Sequence, residues 1–267
     1  MTDPIQSHEE YQRLREQFYS SKGVQQYNAF LANQLAFQTF ESNHRELMRA
    51  VQSHFRLRLE GKLGDWNNKE PLHAFLAEIT RLLHNFLASA KTLIDHTRYF
   101  VKNTYGEESS AYHEYTEEVK RRFAQSPINR FTLDLRTYMT HISMPFIASV
   151  MGGSKAVGRE MFTLQLNFTK MGHPERWSAG AREYSNSCGG SIDLELYLGA
   201  YYQSVCDFYR WLAPKVEEWS REEWAKTAAL QDRLAWIPTE AVCSNSGRRL
   251  QASAPRRSGA QAVMPLS

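Results

Sequence analysis

Residues 126–145 read SPINRFTLDLRTYMTHISMP, and the two ends of that stretch bound one helix. Ser126 is a residue type that caps helix N-termini with its hydroxyl, and Pro127 suits the first turn, where its missing N–H costs nothing. Pro145 stops the helix, because the residue before a proline is driven out of the α region. The spacing therefore predicts a helix over about 127–143, with His141 in its last turn. Each helical residue advances about 100°. With Arg136 at zero, Tyr138, Phe131, Ile142, Leu135, Ile128 and Met139 fall between roughly 200° and 300° and form the buried arc. Arg136, Asn129, Thr140, Thr137, Arg130, His141 and Asp134 take the other arc, with His141 about 140° from Arg136. Leu133 and Met144 lie in the middle of that polar arc. A second subunit, the following hairpin or the C-terminal helices would have to cover them.

Upstream, the chain reads as helix. Ser7, followed by Glu10, has the form of a capping box before Tyr11, Leu14 and Phe18. Apolar residues then recur at helical spacing from Tyr27 to Leu59, and Gly61 to Asn68 is a turn. Pro71 opens a long helix over about 71–104. Its apolar residues, from Leu72 through Phe86 to Val101, return every three or four positions over a wide face, and Gly106 closes it. A shorter helix, about Ser109 to Phe123, leads to the Arg–His stretch.

Downstream, the period changes from helical to two. Phe162, Leu164, Leu166 and Phe168 alternate with Thr163, Gln165, Asn167 and Thr169, which predicts a strand with one buried face. Phe146–Met151 is the expected partner in a β-hairpin over about 146–170, with Gly152-Gly153 starting the connection. A lone hairpin is not stable in water, so it must lie on the helices. Helices resume near Ser191, read as an N-cap, and Ser220-Arg221-Glu222-Glu223 reads as the capping box of a last helix ending near Leu234.

The chain has 267 residues, 42% of them hydrophobic and 23% charged, which suits a sizeable core. The net charge is +3. Arg248, Arg249, Arg256 and Arg257, set against Glu240 alone, carry that whole excess, so the body is neutral and global charge gives no argument for nucleic acid. The tail over 237–267 is rich in Ser, Ala, Arg, Pro and Gln and is expected to be disordered. No apolar run approaches transmembrane length, no signal peptide is expected, and three widely spaced cysteines fit a reducing cytoplasm better than a disulfide framework.

Arg136 and His141 are the candidate catalytic residues. Cleaving RNA through its own 2′-hydroxyl needs a base for that hydroxyl, an acid for the leaving oxygen and a cation for the phosphorane charge. Histidine can serve as base or acid near neutrality, and arginine grips phosphate in a permanent fork. Thr137 and Asp134, four and seven residues before His141, are placed to orient it. Lys120, Arg121, Arg122 and Arg130 form a local basic run with a weak claim to RNA, since such runs are more often solvated helix faces.

At Arg136-x4-His141 the chain resembles the HEPN superfamily, whose signature is Arg followed after four to six residues by His. The resemblance covers roughly Pro71–Pro145. It implies a helical bundle, here one HEPN-like domain over 1–236, mainly α, with a small β-hairpin inserted after the motif helix and additional C-terminal helices. It also implies metal-independent endoribonuclease activity, a homodimer with a composite site at its seam, and no cofactor. A toxin or phage-defence setting follows from the same resemblance, with an antitoxin or other regulatory protein as partner. Thr137 departs from the family, which often has Asn, Asp or His after the arginine. Some members lack catalysis and serve as binding modules, so a non-catalytic helical module for dimerisation or partner binding is the alternative.

Other constellations read as structural. His113 and Glu117 are four apart, but no further ligand completes a metal site. Gly152-Gly153-Ser154-Lys155 lacks the spacing of a phosphate loop. Asn85, Ser89, Thr92 and His96 form a polar stripe read as the solvated side of the long helix. Trp211, Trp219, Trp224 and Trp236 read as packing residues.

Overall fold

The computed structural model of the protein describes residues 8–65, 67–154 and 159–235. Ser7, Trp236 and the tail expectation lie outside the described residues. Within them the chain is mainly helical, with seven α-helices and one three-stranded antiparallel sheet. The helices are α1 (His8–Ser20), α2 (Lys22–Leu59), α3 (Glu70–Tyr105), α4 (Ser110–Val119), α5 (Pro127–His141), α6 (Ala179–Ser187) and α7 (Leu194–Ala235). A π-helical turn, Lys120–Ala124, continues α4.

The bundle is built on α2 and α3, which pack along each other, with α7 laid against α2 and α5 against α3. Apolar residues on α3 face more than one neighbour, so Leu82, Leu83, Phe86, Leu87, Leu93, Phe100 and Val101 are all buried. Pro71 lies in its first turn, and Gly106 caps its end at φ 90°, a left-handed-side backbone that glycine adopts without strain. Ser89 on the polar stripe is buried and donates to the Phe86 carbonyl, whereas Thr92 and His96 are exposed. That stripe is therefore solvated only in part.

Buried residues fall into two clusters. One gathers Phe40, Phe86, Phe131, Leu166 and Tyr201; the other gathers Phe30, Phe100, Tyr115, Phe208 and Val216, with Trp211, Trp219 and Trp224 packed against it. A buried polar junction ties three helices. Asn33 donates to the Thr97 hydroxyl (3.0 Å), Thr97 donates to the Leu93 carbonyl (2.7 Å), and Tyr209 shares a short hydrogen bond with Thr97. Pairing these groups with one another removes most of the cost of burying them.

Strands β1 (Ile147–Ser154), β2 (Arg159–Asn167) and β3 (Ser191–Asp193) form the sheet in the order β1-β2-β3. The alternation of β2 holds, with Leu164 and Leu166 buried and Thr163 and Gln165 partly exposed. Gly152 and Gly153 stay within the ladder, opposite Met161 and Glu160, so the connection comes after them. The sheet is fastened to α2 through Ser149. Arg58 donates to its hydroxyl from Nε (3.2 Å) and Nη2 (3.1 Å), and His54 Nε2 lies 2.9 Å from the same oxygen. With two N–H groups of the one guanidinium donating to Ser149, the hydroxyl proton is left for His54. Burial, reinforced by the Arg58 charge, holds His54 down at about 4, so its ring is the neutral acceptor this contact needs.

Two readings from sequence are corrected. Ser191 does not cap a helix. It pairs with Asn167 in β3, and Asp193 caps α7 by accepting from Leu196 N–H (3.0 Å). Ser220 opens no new helix, because α7 runs unbroken through Pro214 and Ser220. The Ser220 hydroxyl is fully buried and bonds Tyr105 (2.8 Å), and Leu212 and Val216 are buried on either side of the proline. Tertiary packing on both flanks offsets the one backbone bond that Pro214 cannot make.

Candidate functional site: a cleft at the end of α5

Helix α5 begins as its sequence predicts. Ser126 accepts from Asn129 N–H (3.4 Å), and Pro127 occupies the first turn. The helix ends at His141, two residues short of the predicted end. The N–H groups of Ile142 (2.9 Å) and Ser143 (3.1 Å) both converge on the Tyr138 carbonyl and close the last turn there. Phe131, Leu135, Tyr138 and Met139 are buried, as the helical wheel requires. Thr132 is buried with them and accepts from the Tyr197 hydroxyl (3.0 Å).

His141 is exposed and opens onto a cleft of about 210 Å³. Asp134, Thr137, Tyr138 and Ile142 of α5 form one wall, and Arg176 and Trp177 form the other. Arg176 ends a 3-10 turn, Pro174–Arg176, that leads into α6. Trp177 holds this segment in place. It is 3% exposed and stacks on Tyr138 (5.3 Å between centroids) and Phe131 (5.8 Å), with Phe168 edge-on (4.7 Å). Its buried indole N–H has no acceptor among the described residues.

Asp134 lies in the cleft wall but has a task of its own. It accepts from the Ser178 N–H (2.7 Å), at the residue that caps α6, and so sets a carboxylate at the positive end of that helix. This fixes α6 against α5. Gly180 lies so close to α5 that a Cβ there would come within 3.0 Å of the Arg130 side chain. The Thr137 hydroxyl donates back to the Leu133 carbonyl (3.0 Å).

Arg136 is half-buried and does not line the His141 cleft. It continues the stripe of Asn129 and Leu133, which line a separate cavity. No side-chain hydrogen bond engages Arg136, His141 or the Arg176 guanidinium among the described residues, although the Arg176 charge acts on the adjacent Glu175 carboxyl. Leu133 is half-buried in the wall of that cavity, whereas Met144 is 59% exposed.

The basic run is largely occupied. Lys120 pairs with Glu117 (2.7 Å), Arg121 with Glu118 (2.6 Å), and Arg122 also bonds Glu118. Hydrogen bonds from Arg121, against the opposing effect of burial, and then from Arg122 hold the Glu118 carboxyl down at about 2. Arg130 is exposed and donates to the Ala124 carbonyl (3.2 Å). Among the described residues, no group of three or more His, Cys, Asp or Glu side chains is placed to hold a metal ion, and no helix is long and apolar enough to cross a membrane.

The cleft thus assembles an imidazole, a guanidinium, a carboxylate and a hydroxyl around a small opening. The chain matches no protein-family model, no curated protein and no solved structure. Sequence reading did not single out Arg176 or Trp177. Ser178, a helix cap three residues before Ala181, marks the start of α6 and was the available local signal. Nothing local to residues 174–177 places them beside His141.

Proposed function

We propose that the protein is a metal-independent endoribonuclease of HEPN type, with His141 as its proton-transferring residue and Arg176 as the phosphate-gripping cation within the same chain. The observation that carries this reading is the shared cleft. An exposed imidazole and an arginine without a hydrogen-bonded partner line one opening, on a rigid aromatic floor. A ribose–phosphate placed there meets a group able to take the 2′-hydroxyl proton or protonate the leaving 5′-oxygen. It also meets a fork able to stabilise the phosphorane charge.

One histidine does not readily serve both proton transfers at once. A homodimer that brings two α5 C-termini together would supply the second, and would give Arg136, which lies off the cleft in its own chain, a place on the partner's substrate. The toxin or phage-defence setting, a cytoplasmic location and a neutralising partner belong to this proposal through the Arg136-x4-His141 resemblance.

The second reading, a non-catalytic helical module, is favoured by one observation. Arg136 sits on the Asn129–Leu133 stripe and not beside His141. Incubating the pure protein with RNA in the presence of chelator separates the two. The nuclease reading expects cleavage that His141→Ala reduces by about 10²–10⁴-fold, the range of a lost general acid or base, while Arg176→Gln weakens it less. Cleavage that survives His141→Ala unchanged removes the cleft from the mechanism, and intact RNA in every preparation leaves the binding module.

A further inference from the structure

A second opening lies on the other side of α5. It is a cavity of about 330 Å³ at the seam between the two buried clusters, walled by α3, α4, the π-helical turn, α5 and α7. Its size is in the range of sites for small organic ligands. The interior is apolar: Ala90, Leu93, Leu133, Val205 and Phe208 supply much of the wall. The charged residues that line it are all cations, namely Lys91, Arg98, Lys120 and Arg130, and no carboxylate joins them. A π-helical turn closes the C-terminal end of α4. It contributes Lys120, Phe123 and Ala124 to the wall.

Two tyrosines in this wall carry hydroxyls that bond no protein group. Tyr115 is 7% exposed and Tyr201 1% exposed, and neither phenol makes a hydrogen bond among the described residues. Both hydroxyls are therefore available to donate to a group held in the space. Burial pushes the Tyr115 phenol up to about 12, with the charge of Arg98 pulling against it, so the hydroxyl is a neutral donor close to that guanidinium.

The cations at the rim are not equally available. Lys91 is held by Asp95, Lys120 by Glu117, and Arg130 reaches the Ala124 carbonyl. Arg98 is the loosest, 3.9 Å from Asp95 and 59% exposed. One available guanidinium beside one phenol donor matches a head group of a single negative charge, and the apolar interior matches a hydrocarbon body.

We infer that this cavity is a binding site for an amphipathic carboxylate, such as a medium-chain fatty acid, with its head group between Arg98 and Tyr115 and its chain between α3, α5 and α7. Tyr201, deeper in the wall, offers a second donor to an oxygen of the ligand or to an ordered water. The inference is independent of any RNA chemistry, because none of these residues lines the His141 cleft.

Calorimetric titration of the full chain with decanoate, below its micellar range, tests it. Decanoate should bind once per chain and at least about tenfold more tightly than 1-decanol, the worth of a charge-assisted hydrogen bond. Decyl phosphate should bind no better than decanoate. Tyr115→Phe removes only an unpartnered hydroxyl, so it should leave the thermal midpoint unchanged and weaken decanoate by about tenfold. Leu133→Trp fills the cavity and should abolish binding, with the circular dichroism spectrum as the check on folding. Decanol binding as tightly as decanoate, decyl phosphate binding more tightly, or Tyr115→Phe binding decanoate as well as the parent would each overturn the inference, as would no heat of binding at all.

Discussion

The two sides of α5 carry opposite kinds of opening. On the His141 side, the cleft is small and carries His141, Arg176 and Asp134, beside a stack of aromatic rings around Trp177. On the Asn129–Leu133 side, the cavity is larger and apolar, with cations only at its edge. One helix thus presents a site suited to polar chemistry and a site suited to burial of a hydrocarbon. The difference comes from what packs against each face. A short turn and the capped start of α6 cover one; two clusters that do not quite meet flank the other.

The harshest way to break this contrast is to remove the ring that anchors the His141 side. Phe131 is fully buried among Trp177, Tyr184, Tyr197 and Phe168. Phe131→Ala should cost about 3–5 kcal/mol in urea unfolding, the usual range for a fully packed aromatic. It should also abolish RNA cleavage, because Trp177 and Arg176 lose their support. A variant that keeps its stability would show that the aromatic floor is not what positions the cleft.

A second test uses acid. His54 is held at about 4, against an ordinary 6.5, chiefly by burial. Burial likewise holds His44 at about 4, opposed by Glu41. A folded-state value below the unfolded one means that the unfolded chain takes up more protons. Stability should therefore be full above about pH 6.5, fall as the pH drops towards 4, and level off below. His54 alone should account for up to about 3 kcal/mol of that loss. Denaturation curves at pH 7 and pH 4.5 measure it, and His54→Gln should flatten the dependence. An unchanged slope in that variant would mean that the Ser149 fastening does not depend on a neutral ring.

The smallest effect concerns the wall of the cavity. Glu118 is 11% exposed and binds Arg121 and Arg122 within the π-helical turn. Glu118→Gln should lower stability by about 1–2 kcal/mol, as expected for hydrogen bonds to a charged group. Decanoate affinity should shift with it while RNA cleavage stays constant. Loss of cleavage would couple the two sides of α5 and erase the contrast.

Much of this frame was legible in the chain. Ser126, Pro127 and Pro145 bracket α5, Pro71 and Gly106 bracket α3, and the alternation from Phe162 to Phe168 marks β2, because each of those signals is local. Ser191-Ile192-Asp193 was not legible as a strand, since three residues of that chemistry serve equally as a cap and a first turn. Only the ladder to Asn167 decides between them. Ser220 carried a cap signature, yet its hydroxyl is claimed by Tyr105, more than a hundred residues earlier. The same limit applied to the site. His141, Thr137 and Asp134 share a cleft that their spacing on one helix foreshadows, whereas Arg136 falls on the other side of it. Arg176 reaches the cleft only through the packing of Trp177, which no spacing records.

The chemistry of the RNA ends decides whether the His141 cleft cuts RNA. Cleavage through the substrate's own 2′-hydroxyl leaves a 2′,3′-cyclic phosphate and a 5′-hydroxyl. An endoribonuclease built on His141 gives those ends in chelator, loses them in His141→Ala, and makes no cut where the scissile nucleotide is 2′-deoxy. Products bearing a 3′-hydroxyl and a 5′-phosphate, or a cut that persists at the deoxy position, would contradict it.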